Sequence, residues 1–222
     1  MSFSNEWEES YTKGKHHSIW PWSDLVSFVY KYCDCVTQRR GRVLELGCGA
    51  GANIPLFLHL AADYYAVEGS SSIVEELRGR YSQLVDRIAV ADFTKFQPHG
   101  GDFDVVVDRA SLTHNHTDGI RSALGVAWRA LKPGGLFLGV DWFSMNHTEF
   151  AKGEQDVDSY TRCGFSVGQF SQVGRVHFSN ESHIRELFSD WELLLLEETQ
   201  VHRIEPGDAH VFASWKLVAR KP

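Results

Sequence analysis

Basic residues are fewer than acidic residues in this sequence. Its 22 Lys and Arg residues face 29 Asp and Glu residues, so the formal net charge is −7 at pH 7 with histidine neutral. Each contact with a nucleic-acid phosphate normally recruits a Lys or Arg. The charge balance therefore argues against nucleic acid as a partner.

Cysteine is also scarce. The four thiols, at Cys33, Cys35, Cys48 and Cys163, contain no Cys-x-x-Cys pair. This excludes the ligand spacing of a zinc knuckle and the spacing of a redox dithiol, so we expect reduced thiols. Scattered carboxylates such as Asp141 are more often solvated than bound to a divalent ion, and no metal site is predicted.

Long apolar runs are missing as well. No stretch of the sequence approaches the roughly 20 residues that a membrane-spanning helix needs. Residues 1–10 are polar and acidic, without the basic start and apolar run of an export signal. We therefore expect a cytoplasmic protein with no membrane partner.

What the sequence does contain is an alternation of short apolar runs with amphipathic segments along its 222 residues. This pattern predicts one α/β domain over residues 1–222. Strands are predicted at residues 42–46, 64–67, 88–90, 103–107, 136–140, 192–201 and 210–219. Helices are predicted at residues 54–60, 70–84 and 119–131, at 23–36 with Ser23 or Asp24 as N-cap, and at 181–188 with Asn180 as N-cap.

Alternating strands and helices favour right-handed crossovers, and hence a parallel, doubly wound sheet with helices on both faces. The last two strands have no helix between them, so we expect an antiparallel pair at one edge. Residues 143–179 match no regular element and are interpreted as a lid or substrate-binding insertion. Residues 1–40 are interpreted as an N-terminal cap segment together with the first helix.

The most informative segment is the end of the first strand, which runs directly into Gly47, Gly49 and Gly51. Glycines at such a turn allow the backbone to approach a ligand closely, so the loop is predicted to hold a cofactor. The spacing from Gly47 to Ala52 also satisfies the permissive form of the dinucleotide fingerprint. The glycines alone therefore leave the type of cofactor open.

Three acids at the ends of three successive predicted strands restrict the choice. Glu45 places a carboxylate beside the loop, which suits a cationic or amine-bearing ligand better than a pyrophosphate. Glu68 is placed to accept hydrogen bonds from ribose hydroxyls, and Asp92, followed by Phe93, to contact the amino group of adenine. A ligand with a positive charge, a ribose and an adenine fits all three.

With these motifs the sequence resembles the class I S-adenosylmethionine-dependent methyltransferases from about residue 43 to residue 135. The likeness includes residues 103–108, similar to the family's fourth-strand motif, and residues 131–135, similar to the turn before its fifth strand. It implies a Rossmann-like fold, a mostly parallel seven-stranded sheet with an antiparallel last strand, and S-adenosylmethionine as cofactor. The expected cofactor contacts are Tyr11, Trp20, Glu45, Gly47, Cys48, Gly49, Gly51, Glu68, Gly69, Asp92, Phe93 and Asp108.

The loops after the fourth and fifth strands are expected to lie over the transferred methyl group. His114 is the candidate general base there, and Asp141 the acid that orients it. The alternative is that the histidines are surface residues and that Asp141 caps a turn. Arg109 is interpreted either as a contact for an anionic substrate or as part of a structural salt bridge.

Nucleic-acid amino methyltransferases of this class typically carry a Pro-Pro-Tyr-type motif after the fourth strand, where this chain has residues 108–111 as Asp-Arg-Ala-Ser. A small-molecule or sugar-linked acceptor is therefore expected, with O-methylation favoured over N-methylation because a base is present. The protein is expected to be a monomer or homodimer. The alternatives are an NAD(P)-dependent oxidoreductase and a catalytically inactive, S-adenosylmethionine-binding partner subunit.

Overall fold

The computed structural model describes residues 5–14, 17–98, 102–171 and 173–222. Residues 1–4, 15 and 16 of the predicted cap segment, and residue 172 of the predicted insertion, lie outside the described residues. Within the described ranges, no helix has both the length and the apolar character needed to cross a membrane.

The described residues contain ten strands and seven α-helices. The strands are β1 (Arg42–Leu46), β2 (Asp63–Glu68), β3 (Ile88–Val90), β4 (Phe103–Arg109), β5 (Leu131–Phe143), β6 (Glu154–Gln155), β7 (Thr161–Cys163), β8 (Val176–His177), β9 (Glu192–His202) and β10 (Val211–Arg220). The helices are α1 (Asn5–Thr12), α2 (Ser23–Tyr32), α3 (Asp34–Arg39), α4 (Ile54–His59), α5 (Ser71–Arg80), α6 (Thr117–Ala130) and α7 (Glu181–Leu187).

Seven strands form the main sheet, in the order β3-β2-β1-β4-β5-β10-β9. Strands β1 to β5 pair in parallel, whereas β10 runs antiparallel to both β5 and β9. The predicted seven-stranded sheet with an antiparallel last strand is confirmed. The strand order reverses between β1 and β4, and ligands of such sheets bind beyond the carboxyl ends of the strands at that point.

Helices cover both faces of this sheet. Successive residues of a strand point to opposite faces, so Val105 and Val107 of β4 pack with α2, α4 and α5, while Val106 packs with α6 and α7. Apolar residues on both sides explain the continuous valine run at this position of the sequence. The predicted doubly wound architecture is confirmed.

The helix predicted at residues 23–36 is interrupted. Non-helical backbone at Cys33, with φ −114° and ψ 59°, separates α2 from α3. Trp22 occupies the N-cap position without a side-chain capping bond, so the predictions of Ser23 and Asp24 as N-cap are wrong. Asn180 caps α7 as predicted, because its side chain accepts a hydrogen bond from the His183 amide at 2.9 Å.

The 143–179 segment has more regular structure than the sequence indicated. Strands β6, β7 and β8 form a small antiparallel sheet. Both ends of the segment meet at the main sheet, where the Ser179 amide donates to the Phe143 carbonyl at 2.9 Å. Strands of two or three residues are too short to show a periodicity. Their packing rests instead on a buried aromatic cluster that includes Phe143, Phe165, Phe170 and Phe178.

A buried carboxylate, Asp108, joins the end of β4 to β5. The Trp142 indole donates to its Oδ2 at 2.6 Å, and the Leu112 amide donates to its Oδ1 at 3.0 Å. Burial raises the pKa of Asp108 to about 6, although these hydrogen bonds favour the ionised form. Above that pH, the folded protein holds a fully buried anion that depends on its donors.

Replacement of Trp142 by Phe tests this dependence. Trp142→Phe should lower the free energy of unfolding by about 2–4 kcal/mol at pH 8, because it removes a hydrogen bond to a charged group and some ring volume. The loss should be smaller at pH 5, where Asp108 is protonated. Urea denaturation measures both values. Trp20→Phe, at a residue with 71% of its surface exposed, is the control and should change stability by less than about 0.5 kcal/mol. Equal losses at both pH values would contradict the proposed role of the indole.

Candidate active site

A cavity of about 340 Å³ opens where β1, β2, β4 and β5 end. On one side it is lined by residues that follow β1, β2 and β3. On the other side it is lined by the ends of β4 and β5 and by the 143–179 segment. Side chains of the N-terminal segment, among them Trp7, Tyr11 and Trp22, also line it.

The glycine loop approaches its neighbours too closely for side chains. Gly47 has φ +70°, and a Cβ on it would lie 2.4 Å from the Cβ of Ser111. Gly49 has φ +51°, and a Cβ there would lie 2.9 Å from the Tyr11 hydroxyl. Only glycine adopts these left-handed conformations without cost. The loop is therefore a backbone-walled surface, open to a ligand in the cavity.

Glu68, at the end of β2, is held rigidly beside this loop. Its two carboxylate oxygens accept hydrogen bonds from the amides of Gly49, at 2.9 Å, and Ser70, at 3.0 Å. Burial raises its pKa, and the two amide donors oppose that shift. Because each carboxylate oxygen has two lone pairs, both can still accept a hydrogen bond from a ligand. Gly69, next in the chain, also lines the cavity.

Glu45 lies deeper in the wall, with 2% of its surface exposed. Its oxygens accept hydrogen bonds from the Asn53 amide at 2.8 Å and the Tyr64 hydroxyl at 2.6 Å. Burial, together with repulsion by the nearby Asp108 and Glu68 carboxylates, raises the pKa of Glu45 to about 7. The side chain lines the cavity as expected, but protein donors already engage both of its oxygens.

Asp92 and Phe93 follow β3 and line the same side of the cavity, as does Cys48. Asp92 also organises its own turn, since its Oδ1 accepts hydrogen bonds from the amide of Thr94 at 2.9 Å and from the Thr94 hydroxyl at 2.6 Å. Tyr11 reaches the loop from α1, and burial together with Glu68 raises its pKa well above the usual value.

The structure does not bring three of the expected cofactor contacts to the cavity. Asp108 is fully buried beneath it, bonded to Trp142 and to the backbone of the following turn. Gly51 packs against the helices, where a Cβ would lie 2.6 Å from Leu77. Trp20 projects outward with 71% of its surface exposed. These three expectations are corrected: the first two residues support the loop, and Trp20 is a surface side chain.

His114 and Asp141 both line the cavity, but they are not partners. The Nδ1 atom of His114 lies 3.1 Å from the Arg175 carbonyl, which can only accept, so Nδ1 carries the hydrogen and Nε2 is the basic nitrogen. Asp141 instead accepts hydrogen bonds from Nε and Nη2 of Arg109, at 3.0 Å and 2.9 Å. The expectation that Asp141 orients His114 is wrong, because the Arg109 guanidinium occupies the carboxylate.

The Arg109–Asp141 ion pair joins the ends of β4 and β5. The guanidinium carbon of Arg109 lies 3.7 Å from the centre of the Trp22 ring, a cation–π contact that ties the N-terminal segment to the sheet. Asp141 adopts φ +58°, an uncommon conformation for a residue with a side chain. Of the two interpretations of Arg109, the structure supports the salt bridge.

About half of the residues that line the cavity were not predicted from the sequence. Phe143, Gln169, Phe170 and Val173 belong to the segment that was predicted as an insertion, but no individual residue there stood out. Asn53 lies just beyond the glycines, and its amide oxygen is buried without a hydrogen-bond partner. Phe212, on β10, is distant from every motif and gave no signal. Other lining residues that were not predicted as contacts are Trp7, Ser18, Trp22, Ala50, Ala52, Ala91, Ala110, Ser111 and Asn115.

Comparison with known proteins agrees with this geometry. Residues 43–135 match a family model described as a methyltransferase domain. A SAM-dependent methyltransferase structure from Methanosarcina mazei is 15% identical, with 86% of this chain and 97% of that chain covered and a TM-score of 0.68. An S-adenosylmethionine-dependent methyltransferase from Clostridium acetobutylicum is also 15% identical, with 90% and 92% covered and a TM-score of 0.63.

The 1,6-didemethyltoxoflavin-N1-methyltransferase from Burkholderia thailandensis is 18% identical, with 90% of this chain and 86% of that chain covered and a TM-score of 0.56. At such identities, these likenesses establish the fold. No curated protein sequence matches the chain significantly.

The fold and the cavity together are typical of α/β domains that bind a nucleoside cofactor against a glycine turn. The match over residues 43–135 narrows this class. Residues 43–135 are similar to a methyltransferase domain, and the chain has the fold of the S-adenosylmethionine-dependent methyltransferases. The residues present fit S-adenosylmethionine, since the backbone of Gly47 and Gly49 lines the cavity beside Glu68, whose carboxylate can still accept hydrogen bonds.

A methyl group added at Gly47 tests whether the glycine loop binds the cofactor. Gly47→Ala should lower the free energy of unfolding by about 2–4 kcal/mol, because of its left-handed backbone and the collision with Ser111, and should abolish binding of S-adenosylhomocysteine. Gly79→Ala is the matched control. Gly79 lies exposed in α5 with open space around it, so alanine should raise stability by about 0.5–1 kcal/mol and leave binding unchanged. Thermal unfolding and calorimetry measure the two effects, and a Gly47→Ala protein that binds normally would refute the assignment of the loop.

Proposed function

We propose that this enzyme transfers the methyl group of S-adenosylmethionine to a small-molecule or sugar-linked acceptor, with O-methylation favoured over N-methylation. The observation that carries the proposal is the position of His114, whose ring lies on the side of the cavity formed by the ends of β4 and β5. The Burkholderia relative, solved with 1,6-didemethyltoxoflavin and S-adenosylhomocysteine bound, supports a small-molecule acceptor.

Residues on the glycine side of the cavity would hold the cofactor. The backbone of Gly47 and Gly49 would bound it from below, Glu68 would accept hydrogen bonds from its ribose, and Asp92 would contact its adenine. Tyr11 would cover it from α1. When bound, S-adenosylmethionine supplies an electrophilic methyl group, to which the acceptor oxygen bonds as the sulfur–methyl bond breaks.

His114 acts on the acceptor in this mechanism. Its Nε2 takes the proton of the acceptor hydroxyl, while the hydrogen bond between Nδ1 and the Arg175 carbonyl holds the ring in the required tautomer. The Arg175 carbonyl thus has the role that the sequence assigned to Asp141. Trp7 and Phe143 pack their rings against His114, at centroid distances of 4.7 Å and 6.2 Å, and exclude water from it.

The 143–179 segment and the N-terminal segment would close the cavity in this proposal, because both contribute side chains to its lining. We further propose that the enzyme works in the cytoplasm as a monomer or homodimer, and that nucleic acid is not its acceptor. The net charge of −7 supports the last point. The family match argues against the alternative of an NAD(P)-dependent oxidoreductase.

Cofactor binding is tested by isothermal calorimetry with S-adenosylhomocysteine and with NAD. The protein should bind the first and not the second. Glu68→Gln should weaken S-adenosylhomocysteine binding by about tenfold or more, because a charged acceptor of ribose hydrogen bonds is lost. Glu197→Gln, an exposed residue of β9, is the control and should have no effect. Unchanged affinity in Glu68→Gln would remove Glu68 from the proposed site.

The role of His114 is tested by the rate of S-adenosylhomocysteine formation with a hydroxyl acceptor. His114→Ala should lower this rate by about 10²–10⁴-fold, the usual contribution of a general base, with cofactor affinity unchanged. The deficit should narrow as the pH rises, because the acceptor then ionises without help. A deficit that is the same at every pH would assign His114 to substrate binding alone.

A further inference from the structure

The side of the cavity formed by the ends of β4 and β5 and by the 143–179 segment, called the acceptor side below, has a chemical character that restricts the substrate. We propose that the acceptor is a flat, uncharged aromatic molecule that carries the reacting hydroxyl on its ring, and is neither a saccharide nor a charged metabolite. This inference rests on the proposed function, and narrows it.

Aromatic rings form a continuous wall on this side. Besides the contacts of His114 with Trp7 and Phe143, the Phe143 ring lies 4.7 Å from Phe170 and 6.4 Å from Phe212, with interplanar angles of 70° and 85°. All five rings line the cavity. Rings that meet at steep angles form the walls of a slot and present faces and edges to its interior. A flat aromatic molecule gains edge-to-face and stacked contacts with such walls that a saturated molecule of equal size does not.

Two polar side chains on this side, Ser111 and Asn115, are hydrogen-bonded to the protein itself. The Ser111 hydroxyl bonds to Asp108 and to the Leu46 carbonyl, and the Asn115 amide donates to the Leu112 carbonyl at 3.3 Å. A saccharide would bring several hydroxyls into this space and find few partners for them, which disfavours its burial. A molecule with a single hydroxyl needs only His114.

Charges on this side cancel each other. Among the described lining residues of the acceptor side, Arg109 is the cation and Asp141 the anion, and they are paired at 2.9 Å. A carboxylate or an ammonium on the acceptor would have to compete with that pair for a partner. An uncharged acceptor has no such requirement.

The strength of the proposed histidine base indicates which kind of hydroxyl it can deprotonate. A hydroxyl on an aromatic ring has a pKa of roughly 10, as in tyrosine, and lies within reach of a histidine base, whereas a sugar hydroxyl is a far weaker acid. The strength of the base and the aromatic lining therefore lead to the same substrate. A single histidine in an aromatic wall can deprotonate a single acidic hydroxyl.

Four probes test the proposal on the full chain saturated with S-adenosylhomocysteine. They are 2-naphthol, its saturated counterpart decahydro-2-naphthol, the anion 2-naphthoate and methyl glucoside. Calorimetry should show 2-naphthol binding at least tenfold more tightly than each of the others. Equal or tighter binding of the saturated, anionic or sugar probe would overturn the inference while leaving a small-molecule acceptor in place. Failure of all four probes to bind at millimolar concentration would overturn both.

Variants locate the bound probe. Phe212→Ala should weaken 2-naphthol binding at least fivefold without changing the affinity for S-adenosylhomocysteine, and Phe212→Leu serves as a second variant if the alanine form does not fold. Trp20→Ala, outside the cavity, is the matched control and should bind both ligands normally. Normal 2-naphthol binding in a folded Phe212 variant would place the probe elsewhere and refute the assignment of the aromatic wall.

Discussion

Three carboxylates buried at the carboxyl edge of the sheet, Glu45, Glu68 and Asp108, constrain the rest of the site. A buried anion is costly without hydrogen-bond donors, so each carboxylate fixes the groups around it. Glu68 orders the glycine loop through the Gly49 amide, and Asp108 ties the turn after β4 to Trp142. The cavity has its shape because these donors cannot move away.

The same burial makes the folded state sensitive to pH. The pKa values of Glu45 and Asp108 are raised to about 7 and about 6, above those of the unfolded chain. For an acid with a raised folded pKa, the stabilising contribution is present at low pH and is lost as the pH rises through the folded value. Near neutrality the folded protein therefore bears the free-energy cost of burying ionised carboxylates, and this cost grows from about pH 4 to pH 7. A site that holds unfavourable charge in this way is typical of function rather than of stability.

The sequence predicted the lining on the glycine side of the cavity far better than the lining formed by β4, β5, β10 and the 143–179 segment. Gly47, Gly49, Glu68 and Asp92 lie where a strand ends, and parallel topology brings successive strand ends together, so a local motif is enough to place them. The partners of His114 and Asp141 depend on contacts 61 and 32 residues away in the chain. Neither the Arg175 carbonyl nor the Arg109 guanidinium leaves a pattern in the sequence. Phe212 reaches the cavity only because β10 inserts beside β5.

The two sides of the cavity differ in charge, and this difference would favour S-adenosylmethionine over its demethylated product in the proposed function. On the glycine side, burial raises the pKa of Glu45, repulsion by Asp108 and Glu68 adds to that shift, and a ligand with a positive charge would relieve the repulsion. S-adenosylmethionine carries such a charge on its sulfur, whereas the product S-adenosylhomocysteine does not. On the other side, the Arg109–Asp141 ion pair and the aromatic rings would offer the proposed acceptor an apolar surface and the His114 ring. In the proposed function, the negative side favours the cofactor that still has its methyl group, and the apolar side excludes water from the acceptor.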